Sequence, residues 1–547
     1  MRLLALALIV PVIASAQDPS PAKIDAIFSR FDHQDSPGCI LGVTRAGKLV
    51  YEKGYGMADL ERDRAITSSS IFHVASISKQ FTAMAILLLE QQGKLSIDDD
   101  VHKYIPELPD YGKRITLRNL LGHTSGIRDQ WTLLSIAGWR EDDLITEDDV
   151  MWAVTRQRAL NFNPGDEYLY SNSGFTLLAV IVKRVSGHSL REFADEQIFK
   201  PLGMTHTHFH DDHTMVVPNR TSAYLPRKGG GWSVSIPVFD TYGATSLFTT
   251  AEDLLRWEQN FADAHVGSVA LLTRMQQEGT LNDGSPTGYA LGLSVGKHRG
   301  VREVGHGGAD AGYRADVERY PDQQLAVDAL CNASNANPGA LTRQVADLYL
   351  GRALAPEPSQ ARQAGESSLP AATLASLAGV YRRETGDITR VVSHDGKLSL
   401  GDASGPELVP ISAARFGVRG VDAEIQFDSA ADGSHTMLLR RGLAHPQAFR
   451  RMSPFTPTAA QLAAFAGRYR SSELDTEFDI VAGDSTLTAR ERRPDSTVLR
   501  PLYTDAFRAA SGVIEFSRDA NGRVTGFVIN AGRVRALRFD RIEQRPR

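Results

Sequence analysis

The chain has 547 residues, of which 42% are hydrophobic and 23% are charged, and its formal net charge is −5. This length exceeds what one hydrophobic core normally serves, so we expect two to four domains. Lysine and arginine are scattered along the chain. That pattern argues against a nucleic-acid partner, because phosphate binding needs a concentrated basic face.

The first 16 residues predict an export signal. Arg2 is followed by an apolar run from Leu3 to Ile13 and by a small-residue ending at Ala16. These three features are typical of a secretory signal peptide cleaved after Ala16. The apolar run is shorter than the roughly 20 residues that a membrane-spanning helix needs. We therefore expect a periplasmic or secreted protein with no later membrane segment.

Residues 20–355 predict one α+β domain. Strand-like segments lie near both of its ends, over 40–44, 49–53, 313–320 and 324–330. Between them, 76–92 predicts a long helix that ends at Gly93, a residue suited to a left-handed cap. Strands at both ends with helices between them predict a sheet closed by the two ends of the domain.

The composition changes after residue 355. Residues 356–369 are rich in proline, alanine and serine and predict a linker. Beyond it, 377–382 recurs as 465–470, and the strand and Asp-Gly turn of 425–433 recur as the strand and Asn-Gly turn of 514–522. Two features with one period of roughly 88 residues indicate a duplication, and both turns are typical of β-hairpins. We expect two tandem antiparallel, barrel-like β domains, over 370–455 and 459–545.

A serine and a lysine three residues apart could supply a nucleophile and its base. Ser76 and Lys79 would lie one helical turn apart on the same face. A serine hydroxyl needs a neighbouring base, and lysine serves only if burial or another cation lowers its pKa. Alone the signal is weak, because this spacing arises by chance about twice in such a chain. A solvated helix start is the alternative.

Two further motifs strengthen this interpretation. Tyr170 and Asn172 follow a turn-rich segment and precede an apolar helix; the alternative is a buried tyrosine beside a helix-capping asparagine. His306, Gly307 and Gly308 enter the strand-rich end of the domain. Glycines in a strand mark a close approach by a ligand or by backbone, whereas the alternative is a bend with a surface histidine.

In this order the three motifs resemble those of the penicillin-recognising serine hydrolases. That family includes class C β-lactamases, D-Ala-D-Ala peptidases, D-aminopeptidases and related esterases. Segments 120–127, 201–204 and 249–254 support the resemblance, which covers about residues 30–350. It implies a β-lactamase/transpeptidase-like α+β hydrolase domain.

The resemblance implies a role for each motif residue. Ser76 would attack a carbonyl and become acylated, while Lys79 and Tyr170 transfer the protons. Tyr170 would activate the water that removes the acyl group, with positive charge from Lys79, and from His306 if protonated, lowering its pKa. Asn172 would orient Lys79 and the substrate amide.

The remaining implied groups bind the substrate. The backbone N–H groups of Ser76 and Ala309 would form an oxyanion hole, worth about 3–4 kcal/mol per donor. Gly307 and Gly308 would contact the substrate. The resemblance calls for no metal and no cofactor.

One departure bears on the substrate. Where β-lactamases carry Lys-Thr-Gly, this chain has His306 followed by two glycines. A histidine is only fractionally charged near pH 7, so the departure favours a peptidase or amidase on small substrates. D-aminopeptidases also carry two β-barrels after the hydrolase domain. A carboxylesterase, a weak β-lactamase and a non-catalytic binding protein stay open as alternatives.

Cys39 and Cys331 are the two cysteines of the chain, and both occur in strand-like segments. Two buried free thiols are one interpretation. In the resembled family the first and last strands of the domain pair, which would place the two side by side and allow a disulfide. The resemblance therefore supplies the hypothesis of a Cys39–Cys331 bond.

Three further features have open interpretations. Four histidines within eight residues could bind a metal, but we favour a solvated surface loop; they are His206, His208, His210 and His213. Trp131, Trp139 and Trp152 could wall the cleft or pack in the core. The β domains could limit substrate length or mediate self-association.

Overall fold

The computed structural model describes residues 18–140, 142–356, 369–419, 423–429, 435–441, 446–490, 496–510 and 512–542. The predicted signal sequence, most of the predicted linker and the Asp432–Gly433 turn lie outside these ranges. Within them, no helix combines the length and the apolarity needed to cross a bilayer.

The N-terminal domain is built around an antiparallel sheet. Its strands are β1 Cys39–Arg45, β2 Lys48–Tyr55, β3 Met57–Asp59, β4 Arg64–Ala65, β5 Phe72–His73, β6 Ile145–Thr146, β7 His208–Phe209, β8 Tyr224–Pro226, β9 Trp232–Val234, β10 Phe239–Asp240, β11 Leu247–Thr249, β12 Ser294–His298, β13 Val301–Asp310, β14 Tyr313–Tyr320 and β15 Leu325–Cys331. Six of them form the central sheet in the order β12-β13-β14-β15-β1-β2. As expected, strands from the two ends of the domain pair, β1 with β15.

Helices cover both faces of this sheet. They are α1 Pro21–Phe28, α2 Ser78–Gln91, α3 Leu117–Leu121, α4 Gln130–Ile136, α5 Glu147–Thr155, α6 Asn172–Ser186, α7 Leu190–Ala194, α8 Lys200–Leu202, α9 Ala251–Asp263, α10 Val269–Met275 and α11 Pro338–Leu350. Side chains alternate between the faces of a strand. Leu41 and Val43 therefore pack in one cluster with α1 and α11, whereas Ile40 joins the larger core around α2 and α6.

The nucleophile segment differs from its prediction. The expected helix over 76–92 is a 3₁₀ turn over Ala75–Ile77 followed by α2. Ser76 thus precedes the α-helix, because Ala75 takes a left-handed backbone with φ 48° that a regular helix cannot contain. The other end agrees with the prediction, since Gly93 has φ 69° just beyond α2.

Two closed barrels follow, which confirms the predicted fold class. The first has α12 Ala371–Leu377 and strands β16 Gly379–Arg382, β17 Ile388–His394, β18 Lys397–Leu400, β19 Glu407–Pro410, β20 Arg415–Val418, β21 Ala423–Ser429, β22 His435–Arg441 and β23 Gln447–Met452. The second has α13 Ala459–Ala463 and strands β24 Gly467–Ser471, β25 Thr476–Ala482, β26 Leu487–Arg490, β27 Ser496–Tyr503, β28 Ala506–Arg508, β29 Val513–Arg518, β30 Val524–Ala531 and β31 Val534–Ile542. Each closes through its first and last strands.

The repeated sequence motif ties each leading helix to its barrel. The buried Tyr381 hydroxyl donates to the carbonyl of Leu377 at 2.7 Å, and the buried Tyr469 hydroxyl donates to the carbonyl of Phe465 at 2.7 Å. In each barrel an arginine of the last strand donates to backbone carbonyls at the same junction. The duplication therefore preserves a structural tether.

The two cysteines are cross-strand neighbours in the central sheet. Cys39 of β1 lies opposite Cys331 of β15, and their sulfur atoms are joined at 2.08 Å. Both side chains are buried. The bond links the strands that come first and last in the sequence of the domain, in the arrangement that the family resemblance suggested.

The histidine-rich segment is more structured than the sequence predicted. His206 and His213 are exposed, but His208 belongs to β7 and His210 is buried against Phe248. The expectation of a wholly solvated loop is therefore wrong. It failed because β7 pairs with β11, a strand that is distant in the sequence.

Candidate active site

Ser76 lies on a constrained turn. Its predecessor Ala75 has φ 48°, a conformation that costs free energy for a residue with a Cβ and that is typical of functional sites. Ser78 braces the turn, since its hydroxyl donates to the carbonyl of Ala75 at 2.5 Å and accepts the Leu247 N–H at 3.0 Å. The Ser76 side chain stays partly exposed, so a substrate can reach it.

Lys79 is fully buried beside Ser76. Its Nζ lies 3.1 Å from Ser76 Oγ, 2.9 Å from Asn172 Oδ1 and 2.6 Å from the carbonyl oxygen of Ala244. Burial holds the pKa of Lys79 well below its usual value. A neutral amine has two N–H bonds, for Asn172 and Ala244, which leaves its lone pair for the Ser76 hydroxyl proton.

A buried carboxylate orients the asparagine. Asp129 Oδ2 accepts both the backbone N–H and the side-chain amide of Asn172, each at 2.8 Å. This fixes the Asn172 carbonyl oxygen toward Lys79. Sequence reasoning missed Asp129, and its only sequence signal is that of a helix cap, because its Oδ1 also accepts the Trp131 and Thr132 N–H groups at the start of α4.

Tyr170 completes the group around Ser76. Lys79 Nζ lies 4.8 Å from the centre of its ring, and the His123 ring lies at 4.1 Å. Burial raises the pKa of Tyr170 above its usual value, and an interaction with the Ser76 hydroxyl opposes this rise. The expectation that positive charge from Lys79 lowers the pKa of Tyr170 is therefore wrong, because the desolvation of the phenol outweighs it. The contact with the Ser76 hydroxyl falls outside regular hydrogen-bond geometry, so the Tyr170 hydroxyl is buried without a well-formed partner.

The histidine of the third motif is neutral. His306 is buried, and its Nδ1 lies 2.6 Å from the carbonyl of Gly307 while its Nε2 lies 2.9 Å from the Tyr289 hydroxyl. A donating Nδ1–H leaves Nε2 to accept from Tyr289. Burial lowers the pKa of His306 to about 3. The expectation that a protonated His306 supplies positive charge to Tyr170 therefore finds no support.

Strand β13 passes directly beside the nucleophile turn. A Cβ added to Gly308 would lie 2.2 Å from the carbonyl oxygen of Val74 and 3.3 Å from the Ala75 side chain. Only glycine permits this approach. It brings the exposed residues Gly307 and Ala309 to the side of the site where the resemblance puts the oxyanion hole.

The second barrel also reaches the site, which the sequence analysis did not foresee. Arg533 stands at the tip of the β30–β31 hairpin. Its Cζ lies 4.6 Å from the centre of the Tyr170 ring, and its Nη1 lies 3.7 Å from Asp129 Oδ2. In the sequence, Asn530 to Gly532 indicate only a hairpin turn. The contact of Arg533 with Tyr170 and Asp129 could therefore not be predicted from the sequence.

The three tryptophans pack as core residues. Trp131 stacks on Phe239 with ring centres 4.8 Å apart, and the Trp139 and Trp152 rings lie 5.5 Å apart. All three are partly buried against the main hydrophobic cluster. Of the two interpretations of these residues, core packing accounts for their positions.

Two surface depressions lie away from this chemistry. One of about 370 Å³ lies beside α9, and one of about 290 Å³ lies between the barrels near Asn530. Neither is lined by Ser76 or by its partners. On the surface, Asp212, His213 and Asp240 bring their ligand atoms within 4.8 Å of one another, but His213 Nδ1 already lies 3.0 Å from Asp240.

Comparison with known proteins identifies the family. Residues 24–351 match the family described as β-lactamase. The match covers more than half of the chain and contains all three motifs. This protein belongs to the β-lactamase family. With the Lys79–Ser76 contact in place, this member of the family is a serine hydrolase.

Similar proteins extend the likeness beyond the family domain. A D-aminopeptidase from Brucella melitensis is 27% identical over 526 residues, which cover 92% of this chain and 96% of that protein. An octameric penicillin-binding protein homologue from Pyrococcus abyssi matches with a TM-score of 0.56 at 22% identity, over 78% of this chain and 99% of that one. A D-stereospecific amidohydrolase from Streptomyces matches with a TM-score of 0.50 at 21% identity, over 61% and 99%. The resemblance drawn from the motifs is confirmed.

Proposed function

We propose that this β-lactamase-family member hydrolyses small amides or short peptides that carry a D-amino acid residue on the acyl side. The observation that carries the proposal is the buried amine of Lys79, held 3.1 Å from the hydroxyl of Ser76. The D-aminopeptidase relative and the D-stereospecific amidohydrolase support the choice of substrate.

Acylation would begin at Ser76. Its Oγ forms a bond to the substrate carbonyl carbon as its proton passes to the neutral Lys79 amine. The backbone N–H groups of Ser76 and Ala309 stabilise the oxyanion. The C–N bond then breaks, and the leaving nitrogen takes a proton that Lys79 returns through the Tyr170 hydroxyl.

Deacylation would use the same groups in reverse. A water molecule attacks the acyl carbon while its proton passes through Tyr170 to Lys79. Because burial raises the pKa of Tyr170, this hydroxyl acts as a neutral relay, giving up one proton as it takes another. Collapse of the intermediate breaks the ester bond and returns a proton to Ser76 Oγ.

Three substrates test the reaction class. We expect kcat/KM for D-alanine p-nitroanilide to exceed that for the L-enantiomer. We also expect a smaller rate enhancement over the uncatalysed reaction for p-nitrophenyl butyrate than for D-alanine p-nitroanilide. The Ser76→Ala variant should abolish all three activities. A strong preference for the butyrate ester would overturn the proposal in favour of an esterase, and equal rates for the enantiomers would overturn the D-residue assignment.

Export belongs to the proposal as well. The sequence of residues 1–16 supports secretion to the periplasm or beyond, with cleavage after Ala16. N-terminal sequencing of the protein recovered outside the cytoplasm should begin at Gln17. One structural relative is described as octameric, and light scattering would show whether this chain also self-associates.

A further inference from the structure

Arg533 is a cation delivered to the active site by a different domain. It lies in the two-residue turn between Ala531 of β30 and Val534 of β31, at the tip of the hairpin. Its guanidinium stands beside Tyr170 at 4.6 Å. The Lys79 amine lies 4.8 Å from the centre of the same ring and 3.1 Å from Ser76 Oγ, so a group beside Tyr170 lies at the edge of the candidate reacting centre.

The hairpin is anchored through its backbone. Asn161 brackets it, because its Nδ2 donates to the carbonyl of Arg533 at 2.9 Å and its Oδ1 accepts the N–H of Arg535 at 2.8 Å. The buried guanidinium of Arg128 donates to the carbonyls of Arg535 at 2.8 Å and Ala536 at 3.2 Å. These contacts hold the turn through backbone atoms and leave the Arg533 side chain out of the anchoring.

Asp129 forms no hydrogen bond with the guanidinium of Arg533. The closest approach of the two side chains is 3.7 Å, beyond hydrogen-bonding distance. The oxygens of Asp129 already accept four N–H groups, from Asn172, Trp131 and Thr132. Within the described ranges the Arg533 guanidinium makes no hydrogen bond, and 43% of its side chain is exposed.

The other basic groups around Tyr170 are buried, which disfavours their charged forms. Burial lowers the pKa values of Lys79 and His123 well below their usual range and that of His306 to about 3. Asp310, a further carboxylate whose charge acts on Lys79, accepts the Thr245 hydroxyl at 2.7 Å. Arg533 is therefore a fixed cation in this part of the site.

We propose that Arg533 is a specificity-determining residue that binds an anionic group of the substrate. The substrate class would be D-residue amides or peptides that carry a carboxylate close to the scissile bond, rather than a free cationic amine. A guanidinium binds a carboxylate through two parallel hydrogen bonds, and it repels an ammonium group in the same place. This inference rests on the proposed acyl-enzyme function and narrows its substrate.

A charge-matched series tests the inference. The acyl arm compares succinyl-, acetyl- and unblocked D-alanine p-nitroanilide, which are anionic, neutral and cationic. The leaving-group arm compares acetyl-D-Ala-D-Ala with its C-terminal carboxamide. We expect the anionic member to have the highest kcat/KM in at least one arm, and that arm locates the carboxylate.

Variants of Arg533 then assign the preference. Arg533→Gln should lower the anionic-to-neutral ratio of kcat/KM by about tenfold to a hundredfold, the usual range for a hydrogen bond to a charged group. Arg533→Lys should retain part of it, and Arg533→Glu should favour the cationic substrate. The matched control is Arg538→Gln, an arginine of the same β31 strand whose side chain is 73% exposed; it should leave the ratio unchanged.

The neutral substrate separates binding from an effect on Tyr170. If Arg533 acted only by stabilising charge on the phenol, Arg533→Gln would slow the anionic and neutral substrates equally. An unchanged ratio would therefore overturn the proposal. So would a wild-type enzyme that prefers the cationic substrate.

A binding measurement separates this inference from the proposed function. In the Ser76→Ala background, calorimetry compares the affinity for acetyl-D-Ala-D-Ala and succinyl-D-alanine amide with that for their uncharged analogues, with and without Arg533→Gln. Suppose that the Ser76→Ala variant prefers the anion in an Arg533-dependent way but that the wild-type enzyme cleaves none of the amides. This result would reject the proposed reaction and keep the inference. Cleavage of the amides by the wild-type enzyme without such a binding preference would support the proposed reaction and reject the inference.

Discussion

Lys79 lies in the buried environment that the proposed reaction requires of its base. Its side chain has no exposure to solvent, and its three oxygen neighbours come from Ser76, Asn172 and Ala244. Water is therefore not available to stabilise the ammonium form, and the pKa of Lys79 falls well below its usual value. This environment favours the neutral amine, which is the form that the proposed reaction requires of Lys79.

The pH dependence of activity follows from this lowered pKa. Below the pKa of Lys79 the amine is protonated and cannot take the Ser76 proton, so kcat/KM should fall as the pH is lowered through that value. The acid limb should lie well below pH 10.5. A pH profile of kcat/KM measures it, and Lys79→Arg, which stays charged, should show no recovery at high pH. A limb centred near 10.5 would contradict the account.

Asp129 is predicted to act through Asn172. The Asp129→Asn variant puts a donor NH2 group in place of one carboxylate oxygen, each of which accepts two N–H groups, and it removes the negative charge. The orientation of Asn172 is thereby weakened, so kcat should fall about tenfold to a hundredfold with a smaller change in KM. Steady-state kinetics measures both. The control is Asp149→Asn, a capping residue at the start of α5, which should leave kcat unchanged. Equal effects of the two variants would contradict the orienting role.

Residues could be predicted from the sequence where they belong to local motifs. Ser76 and Lys79 are one turn apart, and Tyr170 precedes Asn172 by two positions, so spacing alone singled them out. Asp129 and Arg533 could not be found in this way. Their roles depend on packing between segments that are far apart in the sequence, and neither carries a local signature of catalysis.

At the scale of elements, the site depends on how closely β13 approaches the nucleophile turn. The sequence predicted a strand with a close approach at Gly307 and Gly308, but the partner of that approach, the carbonyl of Val74, follows from tertiary packing. The 3₁₀ turn over Ala75–Ile77 was also missed, because the apolar pattern of α2 continues through it. Packing against β13 and the left-handed backbone of Ala75 produce the 3₁₀ turn in spite of the helical pattern of the sequence.

Gly308→Ala tests this approach. The added methyl group would lie 2.2 Å from Val74 O, so β13 must move away from Ser76 and the oxyanion hole must widen. We expect kcat/KM to fall at least about a hundredfold, as for loss of an oxyanion donor, in a protein that stays folded by circular dichroism.

The control is an alanine in the neighbouring strand. A Cβ at Gly296 of β12 would meet its nearest neighbour, Glu303, at 3.5 Å, which is ordinary contact. Gly296→Ala should therefore keep its activity. Full activity in the Gly308→Ala variant would show that the close approach is not needed for catalysis.

At the scale of the whole molecule, three domains meet next to the catalytic motif. Glu167, three residues before Tyr170, pairs with Arg383 of the first barrel at 2.8 Å and with Arg535 of the second at 3.2 Å. Arg535 also pairs with Asp387 of the first barrel. The sequence predicted both barrels from their repeat, but the docking charges lie outside the repeated motif and gave no signal.

The buried pair between Arg128 and Glu473 should dominate the docking of the second barrel. Its atoms lie 2.8 Å apart, with side chains 0% and 6% exposed. Glu473→Ala leaves a buried charge without its partner, which typically costs about 3–5 kcal/mol. Urea unfolding should show an earlier transition, read as a shift in midpoint because a multidomain chain need not unfold in two states.

A surface pair in the same barrel gives the comparison. Glu477 pairs with Arg468 across exposed strands, and its side chain is 36% exposed. Glu477→Ala should change the midpoint little, because exposed ion pairs contribute about 0–1 kcal/mol. Indistinguishable midpoints for the two variants would show that the buried pair does not hold the barrel in place.

The central claim is that Ser76 is the nucleophile, and labelling with a fluorescent phosphonate tests it most directly. Peptide mapping of the labelled wild-type protein should place the adduct on Ser76. The Ser76→Ala variant should take up no label, whereas Ser78→Ala, which alters a neighbouring serine whose hydroxyl braces the turn, should still be labelled at Ser76. An unlabelled wild-type protein, or an adduct on any other residue, would contradict the account.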